Sequence, residues 1–246
     1  MSLKVENINF GYKENTLLLR NISFEIEQGK TLGIVGVSGT GKSTLLKLIA
    51  SFSNKEQPTE FTGSISFNNL PIENLKQIGK FSFMFQEPTL MPNLSVYDNI
   101  KLPSKILGTD EPNDLNETIN LVGLSAFVNA FPYSLSGGMK TRVSMARSFI
   151  TDPDLLLLDE PFSALDIGWK SRLYNELSLL QKKHSTTIVL VSHDIEEVLN
   201  ISDKIIVLGC EGSLIYSNVV SNLQNKAEEI LKVKNLVLDN HKTYFN

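Results

Sequence analysis

The chain has 246 residues, with 23 basic and 27 acidic side chains and a formal net charge of −4. This length predicts one or two domains, and a hydrophobic content of 41% with 15 Gly and 9 Pro excludes a disordered, collagen-like or fibrous chain. The charge balance does not support binding to nucleic acid through a basic face. The single cysteine, Cys210, excludes an intramolecular disulfide and a cysteine metal cluster.

The N-terminus and the apolar runs predict neither a secretory signal nor a transmembrane helix. Residues 1–6 lack a basic start followed by an apolar stretch. The densest apolar run, Leu155–Leu158, has the length of a strand, whereas roughly 20 apolar residues are needed to cross a bilayer. If the chain acts at a membrane, we therefore expect other polypeptides to provide the span.

The first third of the sequence predicts mainly strands. Val5–Phe10 and Ile22–Ile26 alternate apolar and polar residues, which is typical of half-buried strands in an antiparallel sheet. Further strands are predicted at Thr31–Val35, Gly63–Phe67 and Phe81–Phe85, with a helix at Lys42–Ser51.

The rest of the sequence predicts helices and then an alternation of strands with helices. Residues from about 88 to 150 are predicted to form a helical subdomain interrupted by prolines. The later alternation indicates a parallel sheet with helices on both faces. Its strands are predicted at Leu155–Leu158, Thr187–Val191 and Lys204–Leu208, and its helices at Ser171–Lys183 and Ile195–Leu199. From Val219 we expect one amphipathic helix and a short polar tail at about 233–246.

A glycine-rich segment follows the third predicted strand and precedes a helix. Gly36–Ser43 matches the phosphate-loop pattern G-x-x-x-x-G-K-[ST] in full. Its three glycines let the backbone curl so that N–H groups point at phosphate oxygens, and the helix start adds the positive end of its dipole. Lys42 is predicted to reach the β- and γ-phosphates, and the Ser43 hydroxyl to ligate Mg²⁺.

Two carboxylates follow the apolar run Leu155–Leu158. Asp159 and Glu160 stand at the C-terminal end of a predicted central strand, where open α/β sheets place their ligands. Asp159 is predicted to hold Mg²⁺ directly or through water, and Glu160 to polarise an attacking water as general base. Because a strand that merely meets a solvated loop has the same pattern, this prediction depends on the phosphate loop as well.

A second helix start has the features of an anion site. Ser136 is a good N-cap, and Gly137 and Gly138 expose N–H groups before the predicted helix Lys140–Ile150. Taken alone, the segment also fits an ordinary capped helix.

Taken in order, these motifs resemble the ATP-binding subunit of an ABC (ATP-binding cassette) transporter over about residues 3–217. Tyr12 falls where that family stacks an aromatic ring on adenine, and Gln86 matches its Q-loop. Leu135–Gly138 matches the signature motif, Ser163–Asp166 the D-loop, and His193 the switch histidine.

The resemblance implies a P-loop NTPase fold of α/β class in one domain over residues 1–246, with an N-terminal antiparallel β subdomain and an α-helical insertion. It also implies a homodimer, or a pair with a similar cassette, in which two chains face head to tail and sandwich two ATP molecules with Mg²⁺. The implied ATP-binding residues are Tyr12, Gly36, Ser38, Gly39, Thr40, Gly41, Lys42, Ser43 and Thr44. The implied catalytic residues are Glu160, His193 and Gln86, and the implied Mg²⁺ ligands are Ser43, Gln86 and Asp159. The residues implied to meet the partner chain and its ATP are Ser136, Gly137, Gly138 and Asp166.

One departure from the family pattern suggests a subfamily. Met139 replaces the glutamine of the commonest signature, and with Phe85–Pro92 it is similar to importers of nitrate, sulfonate, taurine and related small solutes. Such a chain is expected on the cytoplasmic side of the membrane, where Gln86–Ile100 contacts transmembrane permease subunits and a solute-binding protein acts indirectly.

Alternatives remain open from the sequence. A soluble non-transport ABC ATPase and an ABC exporter or lipid transporter share the same motifs, while Tyr12 and Ser136 oppose a GTP-binding regulatory switch. Individual residues have plainer interpretations too, since Asp166 could be a helix N-cap and His193 a core histidine. Trp169 is unusual within the pattern, and the sequence assigns it no role.

Overall fold

The computed structural model describes residues 1–13, 16–52, 60–108, 115–220 and 226–245. Contacts divide the chain into two compact units, the first containing Met1–Asn74 and Thr187–Asn246 and the second Leu75–Thr186. The stretch 88–150, predicted to be a helical subdomain, falls wholly within the second unit. In the part of the chain that the structure describes, no helix combines the length and apolarity needed to span a bilayer.

The described residues form nine strands and eight α-helices. In chain order they are β1 (Ser2–Gly11), β2 (Leu19–Glu27), β3 (Thr31–Val35), α1 (Lys42–Ile49), β4 (Glu60–Phe67), α2 (Ile72–Gln77), β5 (Phe81–Met84), α3 (Val96–Leu107), α4 (Leu115–Leu121), α5 (Gly137–Phe149), β6 (Leu155–Asp159), α6 (Ile167–His184), β7 (Thr187–Val191), α7 (Ile195–Ile201), β8 (Lys204–Leu208), β9 (Leu214–Val219) and α8 (Lys226–Phe245). Short 3₁₀ turns at Ser125–Phe127 and Pro132–Ser134 precede α5.

The first unit contains an antiparallel sheet of three strands in the order β2-β1-β4. Leu3 lies opposite Ile26 on one side and opposite Phe67 on the other, and all three side chains are buried. The alternation at Val5–Phe10 and Ile22–Ile26 therefore predicted the strands correctly, because one face of this sheet is apolar.

The first unit also contains parallel strands in the order β7-β3-β8, with β9 antiparallel beside β8. Every residue of β3 and β7 is buried, as expected for parallel strands that are covered on both faces. Gly33 permits close packing of α7 on β3, since a Cβ there would lie 2.0 Å from Cγ1 of Val198.

The second unit pairs β5 and β6 in parallel, with Met84 opposite Leu158. Its helices α3 and α5 pack on each other, and each carries fully buried apolar residues such as Ile100 in α3 and Val143 in α5. Helix α3 continues through Pro103, so this proline does not end a helix as the sequence predicted.

Several predicted boundaries were wrong for identifiable reasons. Helix α5 begins at Gly137 instead of residue 140, and α6 begins at Ile167 instead of residue 171, because Ser136 and Asp166 cap them with side-chain hydrogen bonds. The sequence missed the six-residue helix α2, which is too short to show a clear helical period. It also missed the edge strand β9, whose side chains are mostly half-exposed. The final helix begins at Lys226 and continues to Phe245, through most of the stretch at 233–246 that was predicted as a polar tail. Residues 221–225 of the predicted helix lie outside the described residues.

Candidate functional site

The phosphate loop joins the buried strand β3 to helix α1 in the first unit. Gly39 and Gly41 have φ of +85° and +94°, which favour glycine, while a Cβ at Gly36 would lie 2.4 Å from the Leu208 carbonyl oxygen. No side chain caps α1 at Gly41. The N-cap position of α1 therefore offers no side-chain acceptor to the N–H groups that begin the helix. Such a helix start suits an anionic ligand.

Lys42 lies inside this loop. Its side chain is buried, and Nζ donates to the carbonyl oxygens of Gly36 and Val37, at 2.9 Å each. The hydroxyl of Thr40 donates to the Val37 carbonyl at 3.0 Å. These carbonyls hold the Lys42 ammonium group inside the loop. The phosphate-loop pattern predicts that the same group contacts phosphate oxygens.

Tyr12 and the loop line one cavity of about 680 Å³. Tyr12 packs edge-on against Phe10, with ring centroids 4.9 Å apart, and its hydroxyl lies 3.0 Å from Oγ1 of Thr44 on α1. Tyr12 is 47% exposed, so part of its side chain remains accessible to a ligand that stacks on aromatic rings. The other lining residues are Lys13, Thr16, Leu17, Leu18, Arg20, Ser38, Gly39, Thr40, Cys210 and Glu211.

The cavity also contains residues that the sequence did not predict. Arg20 adds positive charge to the lining, and Cys210 and Glu211 come from the turn after β8. Cys210 and Glu211 could have been predicted at this site, because β8 is parallel to β3 and Val207 lies opposite Val35. The carboxyl ends of two parallel neighbours share one edge, where ligands bind in such sheets.

His193 follows β7 at the same edge of the first unit. Val191 lies opposite Ile34, so the residues after β7 and the residues after β3 emerge side by side. His193 is exposed and lies between Ser192 and Asp194, the N-cap of α7. The core-histidine interpretation is therefore wrong, and a role at the γ-phosphate stays a prediction.

In the second unit the predicted catalytic and metal residues follow two paired strands. Gln86 comes two residues after the end of β5, and Asp159 ends β6, so the parallel register brings the two loops to one edge. Gln86 is exposed, while Asp159 is buried with 3% exposure. Glu160 follows at a φ of +50°, in the left-handed region that non-glycine residues rarely adopt. Such strained residues cluster at functional sites.

Helix α5, which we call the signature helix, starts at an exposed and open surface. Ser136 caps it by accepting from the Met139 N–H at 3.2 Å, so the predicted N-cap is confirmed. A Cβ at Gly137 would meet nothing within 4 Å, whereas one at Gly138 would lie 3.1 Å from the Ala164 carbonyl oxygen. The helix start is thus open at its tip and packed against the D-loop (Ser163–Asp166) at its side.

Asp166 has the structural role that its plainer interpretation predicted. Its Oδ1 accepts from the backbone N–H of Trp169 at 3.0 Å and caps α6. The side chain is nevertheless exposed at the end of the D-loop, so capping leaves it accessible to another molecule.

The predicted metal ligands fit Mg²⁺ by their chemistry. Ser43, Gln86 and Asp159 supply hydroxyl, amide and carboxylate oxygens, and Mg²⁺ prefers a few such ligands together with substrate phosphates. Among the described residues, no group of three or more His, Cys, Asp or Glu side chains could form a dedicated metal cage. The donor set thus suits a cation that arrives with a phosphate ligand.

Comparisons with known proteins identify relatives of this chain. The Aliphatic sulfonates import ATP-binding protein SsuB of Bacillus cereus is 34% identical over 226 residues, which cover 91% of this chain and 87% of that protein. SsuB 2 of Pseudomonas syringae pv. tomato is 39% identical over 207 residues, which cover 84% of this chain and 82% of that protein.

A solved structure with the same fold is the ATP-binding cassette MJ0796, described as a dimer in a post-hydrolysis state bound to ADP and Pi. It matches with a TM-score of 0.78 and 26% identity over 90% of this chain and 100% of that chain. The predicted P-loop fold is confirmed. The family described as ABC transporter matches residues 19–163, more than half of the sequence, and the chain belongs to the ABC transporter family.

Proposed function

We propose that this chain is the ATPase subunit of an ABC importer for a small anionic solute of the sulfonate class. ATP hydrolysis coupled to import is the activity of the family branch to which its relatives belong. The soluble and exporter alternatives are not favoured, because both relatives are named import ATP-binding proteins. The substrate class comes from the same names and from the similarity at Met139.

The observation that carries the proposal is the cavity shared by Tyr12 and the phosphate loop. A half-exposed aromatic side chain and a glycine-rich loop line one cavity of about 680 Å³, which suits a ligand that has both a base and a phosphate chain. In this proposal Lys42 exchanges its two carbonyl contacts for β- and γ-phosphate oxygens. The remaining ATP-binding residues supply backbone N–H and hydroxyl donors.

The chemical step is assigned to residues at the ends of strands. Glu160 accepts the proton of the attacking water as the water oxygen bonds to the γ-phosphorus, the β–γ bridging P–O bond breaks and ADP leaves. His193 donates to the γ-phosphate oxygens during this step. Bound Mg²⁺, held by Ser43, Gln86 and Asp159, would neutralise charge on the phosphate oxygens. These roles are our proposal for each residue.

We further propose that the site is completed by a second copy of the chain. The open tip of the signature helix at Ser136 and Gly137 offers N–H donors to an anion, and Asp166 is exposed nearby along the D-loop. Together they would close over the partner's ATP, so that binding favours the dimer and hydrolysis releases it. The solved dimer of MJ0796 supports this arrangement. The chain would act at the cytoplasmic face of the membrane, with permease subunits and a solute-binding protein as further partners.

A mixing experiment tests the composite site. Homodimers of Ser136→Arg and of Lys42→Ala should both be inactive, because each lacks one half of every site. Mixing the two chains should restore ATP hydrolysis, since one site then combines an intact phosphate loop with an intact signature. The control is the Lys42→Ala/Ser136→Arg double variant mixed with either single variant, because no dimer in that mixture combines an intact phosphate loop with an intact signature. Normal hydrolysis by the Ser136→Arg homodimer would refute the composite site.

A transport assay tests the solute. The chain and its co-purifying membrane subunits would be placed in proteoliposomes with the candidate binding protein. We expect ATP hydrolysis to rise with an alkanesulfonate, and not with nitrate or a polyamine. If only nitrate or only the polyamine stimulates hydrolysis, the proposed solute is wrong, while the ATPase assignment stands.

A further inference from the structure

Trp169 connects the signature helix with the D-loop. It is the only tryptophan in the chain and the third residue of α6. Its backbone N–H donates to Asp166, while its ring faces the Arg142 guanidinium, whose Cζ lies 3.8 Å from the ring centroid. A second guanidinium, that of Arg172, lies 5.1 Å from the same centroid. One residue therefore contacts α5 through its ring and the D-loop through its backbone.

The arginine in this stack is held firmly. Nη1 of Arg142 donates to the carbonyl oxygens of Val122 at 2.6 Å and Gly123 at 3.3 Å. Its Nε is buried without a hydrogen-bond partner among the described residues. Burial lowers the pKa of Arg142, and the nearby Asp166 carboxylate acts in the opposite direction. The indole face is therefore a substantial part of what stabilises this buried cation.

The indole also needs a glycine beneath it. Gly123 has a φ of +65°, and a Cβ there would lie 2.0 Å from Cη2 of Trp169. Any larger residue would displace the ring from Arg142. Gly123, Arg142 and Trp169 thus form one interlocking unit, which we call the tryptophan stack.

The tryptophan stack adds to a contact between the signature helix and the D-loop at Gly138 and Ala164. Arg142 lies four residues after Gly138, one turn along the same face of α5. Two contacts one turn apart restrict both the rotation and the translation of the helix start relative to Asp166.

We infer that Trp169 is a positioning residue, which fixes Asp166 relative to Ser136–Gly138 so that both reach the partner's ATP as one rigid surface. The inference rests on the proposed function, in which this surface closes the ATP site of a second chain. Trp169 itself touches no reacting atom. Its loss should weaken ATP-dependent dimerisation and leave ATP binding to the single chain unchanged, because the phosphate loop belongs to the first unit.

The test uses the Glu160→Gln chain, in which hydrolysis should be blocked, and measures dimer formation against ATP concentration by gel filtration with light scattering. Adding Trp169→Leu should raise the ATP concentration for half-maximal dimerisation about tenfold, whereas Trp169→Phe should raise it about threefold or less, since Phe keeps a π face. ATP affinity of the single chain is measured separately by displacement of a fluorescent nucleotide. Leu179→Ala, at an exposed position on the same helix, is the matched control.

The outcomes separate the inference from the function it rests on. If the Glu160→Gln chain itself shows no ATP-dependent dimer, the composite site fails and the inference fails with it. If that chain dimerises and Trp169→Leu changes nothing, the inference alone is overturned. It is also overturned if Trp169→Leu weakens single-chain ATP binding as much as dimerisation, or if Leu179→Ala has the same effect, because either result indicates a general loss of structure.

Discussion

Replacement of Gly123 by alanine tests the tryptophan stack through stability, with a control that the chain itself provides. Gly123 and Gly108 both have a φ of +65°, so alanine meets the same backbone strain at either position. Their surroundings differ, because a Cβ at Gly108 would meet none of the described residues within 4 Å, whereas one at Gly123 would overlap the indole of Trp169. The difference between the two variants therefore isolates the overlap from the strain.

The expected magnitudes follow from these two terms. Left-handed alanine costs about 1–2 kcal/mol, which is the whole effect expected at Gly108. At Gly123 the overlap adds about 1–3 kcal/mol, the usual range for an overfilled site. We therefore expect Gly123→Ala to lower the free energy of unfolding by about 2–5 kcal/mol in total.

Urea denaturation of both variants gives this difference, and the fluorescence of Trp169 reports the local change. Since Trp169 is the only tryptophan, an emission change in folded Gly123→Ala indicates that the ring has left its site. Gly108→Ala should leave the emission as in the wild type. Equal losses of stability in the two variants, together with unchanged emission, would refute the geometry of the tryptophan stack.

Four other changes test separate parts of the structure. Lys42→Ala should abolish measurable ATP binding in a displacement assay while the far-UV circular dichroism stays native, because the cation and not the loop is lost; retained affinity would contradict this. Tyr12→Phe should change ATP affinity by less than about twofold and Tyr12→Ala by about tenfold, because stacking needs the ring and not the hydroxyl. Asn99→Ala should lower the free energy of unfolding by about 2–5 kcal/mol, since its buried amide donates to three carbonyls and accepts from the Met91 N–H. Glu160→Gly should be as inactive as Glu160→Ala yet more stable by about 1 kcal/mol, because glycine removes the left-handed strain; calorimetry showing alanine equal or better would contradict it.

The sequence predicted the parts of the fold that follow from local patterns. The strands at 31–35, 187–191 and 204–208 have the same bounds in the structure, because each is a short, mainly apolar run between turn residues. The phosphate loop was recognisable because its glycines are needed at particular positions. The cap at Ser136 was recognisable for a similar reason, since serine before two glycines favours a helix start.

Other features depend on contacts between distant residues and could not be predicted locally. Trp169 had no interpretation until Arg142 and Gly123 were placed around it, 27 and 46 positions earlier in the chain. The edge strand β9 was missed because its pairing with β8, and not an apolar period, defines it. The lining of the cavity by Cys210 likewise depends on the parallel register of β3 and β8.

Asp166 illustrates why a structural and a functional interpretation of one residue can both hold. A carboxylate at the N-cap of α6 is favoured by the helix dipole and fixed by its hydrogen bond to Trp169, so its position is set before any partner arrives. Preorganisation of this kind reduces the conformational entropy lost on association. Trp169, whose N–H donates to Asp166, also packs on the signature helix through its ring. The cap and the start of the signature helix are therefore ordered by contacts of the same residue. The capping role is thus the physical basis for the proposed role at the dimer interface.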